Sequence, residues 1–116
     1  MKKLLLITLC LSSLFAKDTF DKNIEYTCIN THNILKGQKM DVDPNEAIKQ
    51  PFIFTIKEDK IYANHNIVLD FKMQQELMFS YSNDKYMLLL TPNLELGLVP
   101  KTSKGSVQYY FKCESK

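Results

Sequence analysis

The sequence predicts an all-β protein: a small antiparallel meander of roughly seven to eight strands, closed as a barrel or packed as a sandwich. Three observations carry that expectation. Short apolar runs with a period of two recur at about 8–12-residue spacing, split by turn residues. Beyond residue 16, no segment of the 116-residue chain holds a long helical period. Two cysteines, Cys28 and Cys113, stand near the two ends of the strand-rich region and offer a means of closing it.

The first strand reads IEYTCI (24–29), with Ile24, Tyr26 and Cys28 on one face and Glu25 and Thr27 on the other. In DVDPNEAIKQP, Asp43 is placed to cap a short helical turn near 44–50. Pro44 stands at its first position, Glu46 in its first turn and Pro51 just beyond its end. FIFTIK (52–57) alternates Phe52, Phe54 and Ile56 against Ile53, Thr55 and Lys57, and EDK turns the chain into IYA (61–63). The polar NHN (64–66) leads into IVLDFK (67–72), where Ile67, Leu69 and Phe71 share a face. ELMFSYS (76–82) groups Leu77, Phe79 and Tyr81. SNDK is a turn, because Asn and Asp side chains bond their own main chain and accept unusual backbone angles. YMLLLT (86–91) and LELGLV (94–99) flank the Pro92-Asn93 turn, KTSKG forms the last loop, and SVQYYFKC (106–113) is the last strand. This pattern puts Phe54, Leu69, Phe79, Leu88 and Phe111 in the core, and Thr55, Lys57, Asp70 and Lys112 in solvent. Met40, Met73, Met78 and Met87 are expected to serve as adaptable packing.

The N-terminal sixteen residues, MKKLLLITLCLSSLFA, have the layout of a secretory signal peptide. Two lysines precede an apolar run from Leu4 to Leu11, which is too short to span a bilayer. Cleavage is expected after Ala16, leaving residues 17–116 as one β domain, periplasmic or secreted, with no stable membrane insertion. The competing reading lipidates Cys10, but Leu9 stands where such signals want a small residue. Lys2 and Lys3 belong to the leader, so its removal leaves 13 lysines against 13 acidic residues. A balanced chain without arginine lacks the bidentate fork that phosphate and base recognition favour, which argues against nucleic acid.

Cys28 and Cys113 form an even pair in an exported domain and read first as a disulfide. Both lie on the apolar face of a terminal strand. A bond between them needs Cα atoms within about 7 Å, so it brings the first and last strands together, as neighbours in one sheet or across a sandwich. Such a crosslink, closing most of the chain, is worth up to roughly 4–5 kcal/mol in the chain-entropy model. Zinc ligation with His32 and His65 is the rival reading, but Cys-x-x-x-His on a strand is not a compact ligand pair.

Tyr26-Thr27-Cys28 near the start of the domain, Cys113 near its end and SNDKY (82–86) in a loop together resemble small exported inhibitors of c-type lysozyme. That family has a β-barrel, a Tyr-x-Cys, a C-terminal cysteine partner and a Ser-Gly-x-x-Tyr loop whose serine enters the lysozyme cleft. Here Ser82 and Tyr86 match, and Asn83 replaces the glycine, a mild change where the backbone is left-handed. The family's lysine contact would fall on Lys104 in Ser103-Lys104-Gly105, further downstream than the family pattern places it. The aromatic strand after the loop, which carries Trp in the family, reads MLLL here. The resemblance implies that Ser82 projects from the turn, that Asn83 takes the strained position and that Tyr86 anchors the loop.

The function expected from these readings is that of a binding or interaction module with a protein partner in the periplasm or in host secretions. The alternatives are lysozyme inhibition through the Ser82–Tyr86 loop and a small hydrophobic ligand held inside the barrel. No nucleophile elbow, phosphate loop or zinc-protease signature appears, so neither an enzyme nor a cofactor or metal is expected. Asp41, Asp43 and Glu46 lack the glycine and oxygen spacing of a calcium loop and read as a solvated, helix-capping group.

Overall fold

Residues 20–115 are described in the computed structural model of the protein. The leader, its cleavage after Ala16 and the alternative at Cys10 lie outside the described residues. Nine strands follow in chain order: β1 (Glu25–Leu35), β2 (Gln38–Asp41), β3 (Phe52–Lys57), β4 (Lys60–Ala63), β5 (Ile67–Gln75), β6 (Met78–Ser82), β7 (Tyr86–Leu90), β8 (Glu95–Pro100) and β9 (Val107–Ser115). Each strand pairs antiparallel with its neighbours, and β9 returns to pair with β1, so eight strands close a barrel. The ninth, β2, is an outrigger. β1 pairs with β3 through Glu25–Cys28 and with β2 through His32–Leu35, while its other edge runs along β9.

Turn chemistry fixes these registers. The β1–β2 hairpin closes on Lys36 and Gly37, whose φ angles of 51° and 82° are the left-handed pair that a tight two-residue hairpin requires. Between β2 and β3, Asp43 accepts a hydrogen bond from the Asn45 N–H at 2.9 Å and caps a single helical turn, α1 (Pro44–Ala47). The helix expected near 44–50 is therefore present, but ends at Ala47. Asp41 pairs with Lys39 at 3.8 Å and Glu46 with Lys49 at 3.3 Å, so the three acids cap and screen locally.

The inward faces follow the period-two reading over much of the chain. Phe54, Leu69, Phe79 and Leu88 are buried as expected, joined by Ile56, Ile61, Leu90 and Leu96. Tyr26 stacks on Phe54 with ring centroids 5.0 Å apart, and Phe20 meets Phe79 edge-on, so inward side chains pack on one another. Four expectations fail. Phe111 is only half-buried, although it packs against the core. Phe71 keeps the expected side of β5, opposite Tyr81 with the rings 5.4 Å apart, but is 37% exposed because the β4–β5 ladder ends at Asp70 and leaves it at the rim. Leu77 lies in the tip of the β5–β6 hairpin and is 70% exposed. Met40, Met73, Met78 and Met87 all lie on the surface, because they occupy β2 or outward positions of the ladder.

The disulfide joins neighbouring strands: Cys28 and Cys113 stand directly opposite each other in the β1–β9 ladder, with Cα atoms 3.9 Å apart. The Cys113 N–H donates to the Leu94 carbonyl at 2.8 Å, away from β1. The cysteines therefore occupy a non-hydrogen-bonded pair, the closer of the two antiparallel spacings. With both sulfurs in this bond, the zinc reading loses its cysteine ligands.

Cys113→Ser is expected to lower stability by about 2–5 kcal/mol, measured by chemical denaturation of the oxidised protein. A second expectation concerns Tyr81, which is 5% exposed. Burial, reinforced by the Asp59 charge and by Tyr26, pushes its phenol up from 10.0 to about 12. Below pH 10 the phenol is neutral in both folded and unfolded chains, and burial carries no penalty. Between pH 10 and 12 the unfolded chain ionises first, so stability falls as pH rises. Burial raises Tyr26 as well. The unfolding midpoint should drop through this window, and Tyr81→Phe should flatten the drop; an equally steep fall in that variant contradicts the assignment.

Candidate functional site

One end of the barrel gathers the β1–β2 hairpin, the β6–β7 loop (83–85) and the β8–β9 connection (101–106). Main-chain bonds tie these three segments together. The Lys101 N–H donates to the Lys85 carbonyl at 2.8 Å, and the Lys36 N–H to the Ser106 carbonyl at 2.7 Å. Within the connection, Lys101–Ser103 forms one 3-10 turn that ends on Lys104, whose φ of 52° is left-handed. The Ser103 hydroxyl donates to the Pro100 carbonyl at 2.7 Å, and the Ser106 hydroxyl to the Ser103 carbonyl at 2.7 Å. These loops are held by their own hydrogen bonds rather than left to fluctuate around open backbone groups.

Asn83 organises the β6–β7 loop. Its Oδ1 accepts from the Lys85 and Tyr86 N–H groups, each at 2.8 Å, and its Nδ2 donates to the Val68 carbonyl at 3.0 Å. Its own N–H donates to the Tyr86 carbonyl at 3.0 Å. The expected left-handed backbone at Asn83 is not found; the side chain closes the turn instead, by bonding the main chain. Because closure begins at Asn83, Ser82 remains the last ladder residue of β6, opposite Asp70 and Met87, and is only 8% exposed. Ser82 therefore does not project as the resemblance implied. Tyr86 is half-buried, packs against the core and pairs with Pro100, as an anchor would.

The structure thus brings Asn83, Tyr86 and Lys104 to one end and withdraws Ser82 from the surface. It adds Lys36, Lys85 and Lys101, which the sequence reading did not single out. All four lysines, 36, 85, 101 and 104, are exposed. Among the described residues, the ion pairs are Lys39–Asp41, Lys49–Glu46 and Lys60–Asp70, and none involves these four. The acid within these loops is Asp84. The opposite end carries Glu58, Asp59 and Glu76 in its hairpin loops, with Lys57 and Lys60 flanking the first of them. The Lys-Gly turn at 36–37 and KTSKG at 101–105 were the available signals; what joined them was the closure of β9 onto β1.

His32 has a local role. Its ring stacks on Tyr110 at 4.7 Å between centroids, and Tyr110 lies against Gly97, where a Cβ would come within 3.3 Å of the ring. Glycine at that position makes room for the outward aromatic stack. Comparison of the chain with protein-family models, curated proteins and solved structures finds no match.

Asn83→Ala removes three side-chain hydrogen bonds, two of them to loop N–H groups, and is expected to lower stability by about 1–3 kcal/mol. Asp84→Ala, one residue along, should leave the denaturation midpoint unchanged. Equal effects at the two positions would refute the organising role of Asn83.

Proposed function

We propose that the chain is an exported binding module that recognises an acidic surface or cleft of a protein partner through the lysine-bearing end of its barrel. One observation carries this reading. Lys36, Lys85, Lys101 and Lys104 sit on three loops joined by main-chain hydrogen bonds, and none takes part in an ion pair among the described residues. Loops fixed in advance lose little conformational freedom on binding. A cluster of one sign of charge speeds encounter with its complement and discriminates against wrong partners. Lysine ammonium groups form charge-assisted bonds to carboxylates. The disulfide supports export, since such bonds persist in oxidising compartments.

A narrower form of the same reading is inhibition of a c-type lysozyme, whose cleft carries carboxylates. One observation favours it: the loop that follows Ser82 and the loop of Lys104 are neighbours, joined through Lys101 and Lys85. With Ser82 buried, Lys85 and Lys104 are the groups presented to such a cleft.

The test immobilises oxidised protein spanning residues 17–116 and offers it c-type lysozyme, periplasmic extract and host secretions in turn. The expected result is stoichiometric capture of a protein, weakened by salt. Changing Lys85, Lys101 and Lys104 together to Glu should weaken capture about tenfold or more, with the thermal unfolding midpoint unmoved. Capture that survives this charge reversal overturns the site. A turbidity assay decides the narrower form: lysozyme activity untouched at micromolar excess of the protein retires it.

A further inference from the structure

The β5–β6 ribbon outruns the rest of the sheet at the end of the barrel opposite the lysines. The β4–β5 ladder stops at the Lys60–Asp70 pair, and the Phe71 N–H still reaches the Asp59 carbonyl at 2.8 Å. Beyond that point β5 continues to Gln75 with only β6 in register, and a two-residue loop, Glu76-Leu77, turns the chain back at Met78. The bulge at Lys72 lies where the ribbon leaves the barrel.

The direction of the free backbone groups follows from the hairpin. The pair flanking a two-residue loop, Gln75 and Met78, exchanges both hydrogen bonds, so Gln74 and Phe79 form the non-bonded pair. The N–H and C=O of Gln74 therefore face the open edge. Beside that edge the surface is apolar. Met73 is 56% exposed and Met78 42%, and with Leu77, Met87 and Leu89 they line an open groove of about 530 Å³. An unpaired strand edge flanked by apolar surface is a template for adding another strand.

We propose that this edge pairs with the same edge of a second copy, antiparallel, on a two-fold axis through Gln74. Charge selects the register. Centred on Gln74, Lys72 stands opposite Glu76 of the second copy, and symmetry repeats the pair. A centre one residue earlier runs the second copy onto Asp70, whose edge β4 already covers, and one residue later carries the position opposite Lys72 past the turn and leaves it without an acidic partner. The Gln74 register also makes the two Met73 side chains diagonal neighbours. The contact is self-complementary, as a two-fold interface must be. It lies away from the lysine-bearing loops, so the dimer presents two such ends pointing apart and binds bivalently to a repeated partner. The dimer itself does not depend on the identity of that partner.

Analytical ultracentrifugation of the oxidised protein over a concentration series tests the pairing. A monomer–dimer equilibrium is expected. Lys72→Glu and Glu76→Lys should each weaken it about tenfold or more, since each places like charges opposite one another twice. The two changes combined should restore it to within roughly threefold of the original. Gln74→Pro removes the outward N–H at a position where an edge strand accepts proline, and should abolish dimerisation with the circular dichroism spectrum retained. If that variant fails to fold, the charge-swap series decides alone. A monomer at every concentration overturns the proposal, as does a dimer indifferent to Gln74→Pro or a double swap without rescue. A monomer that instead binds an added extended apolar peptide at this edge also overturns it.

Discussion

The register between β1 and β9 is the constraint from which the rest of the structure follows. It sets Cys28 opposite Cys113 at the closer antiparallel spacing and joins the two ends of the chain into one ladder. A slip of one residue would carry every side chain of a strand to the opposite face, so the cysteines could not meet and the core would turn outward. Closure also removes the two edges that an open meander would expose. The bond and the core thus specify the same register, and each reinforces the other.

β1 carries more of this load than an ordinary strand. Near its middle, Asn30 pairs with Phe111 and His32 with Tyr110, so Thr31 is an extra residue, a bulge. The Asn30 amide occupies the disrupted position and donates to the Tyr110 carbonyl at 2.8 Å and to Asn33 Oδ1 at 2.9 Å. Bulges increase local twist and bend a strand. Here the bulge separates the barrel segment of β1, paired with β3, from the segment that holds β2. It also shifts the inward positions by one, so that Asn33 comes opposite the core-packed Tyr109.

The two ends of the barrel are built differently. At one end, short loops are cross-tied through Lys101–Lys85 and Lys36–Ser106, and their charge is left facing solvent. At the other, β5 and β6 outlast their neighbours and expose an apolar ribbon. The first arrangement underlies the recognition proposed for the lysines, and the second the strand pairing proposed for the ribbon. The middle is filled by side chains that pack on one another, including Phe54, Ile61, Leu69 and Leu88.

Local rules in the sequence determined the all-β class, most strand positions, the capped turn at Asp43 and the pairing of Cys28 with Cys113. Alternation, turn residues and cysteine parity act over a few residues each, or depend only on the compartment, and so can be read without coordinates. The bulges at Thr31 and Lys72 could not be read this way, since an extra residue is defined only against the partner strand. The bulge at Lys72 turns Met73 outward, opposite Ser80, where unbroken alternation would carry it inward with Leu69 and Phe71. The candidate site divides similarly. Asn83 was legible from turn chemistry, whereas the burial of Ser82 depended on where the ladder stops. Lys36, Lys85 and Lys101 come from segments far apart in the chain, and only barrel closure makes them neighbours, because pairing the last strand with the first converts sequence distance into contact.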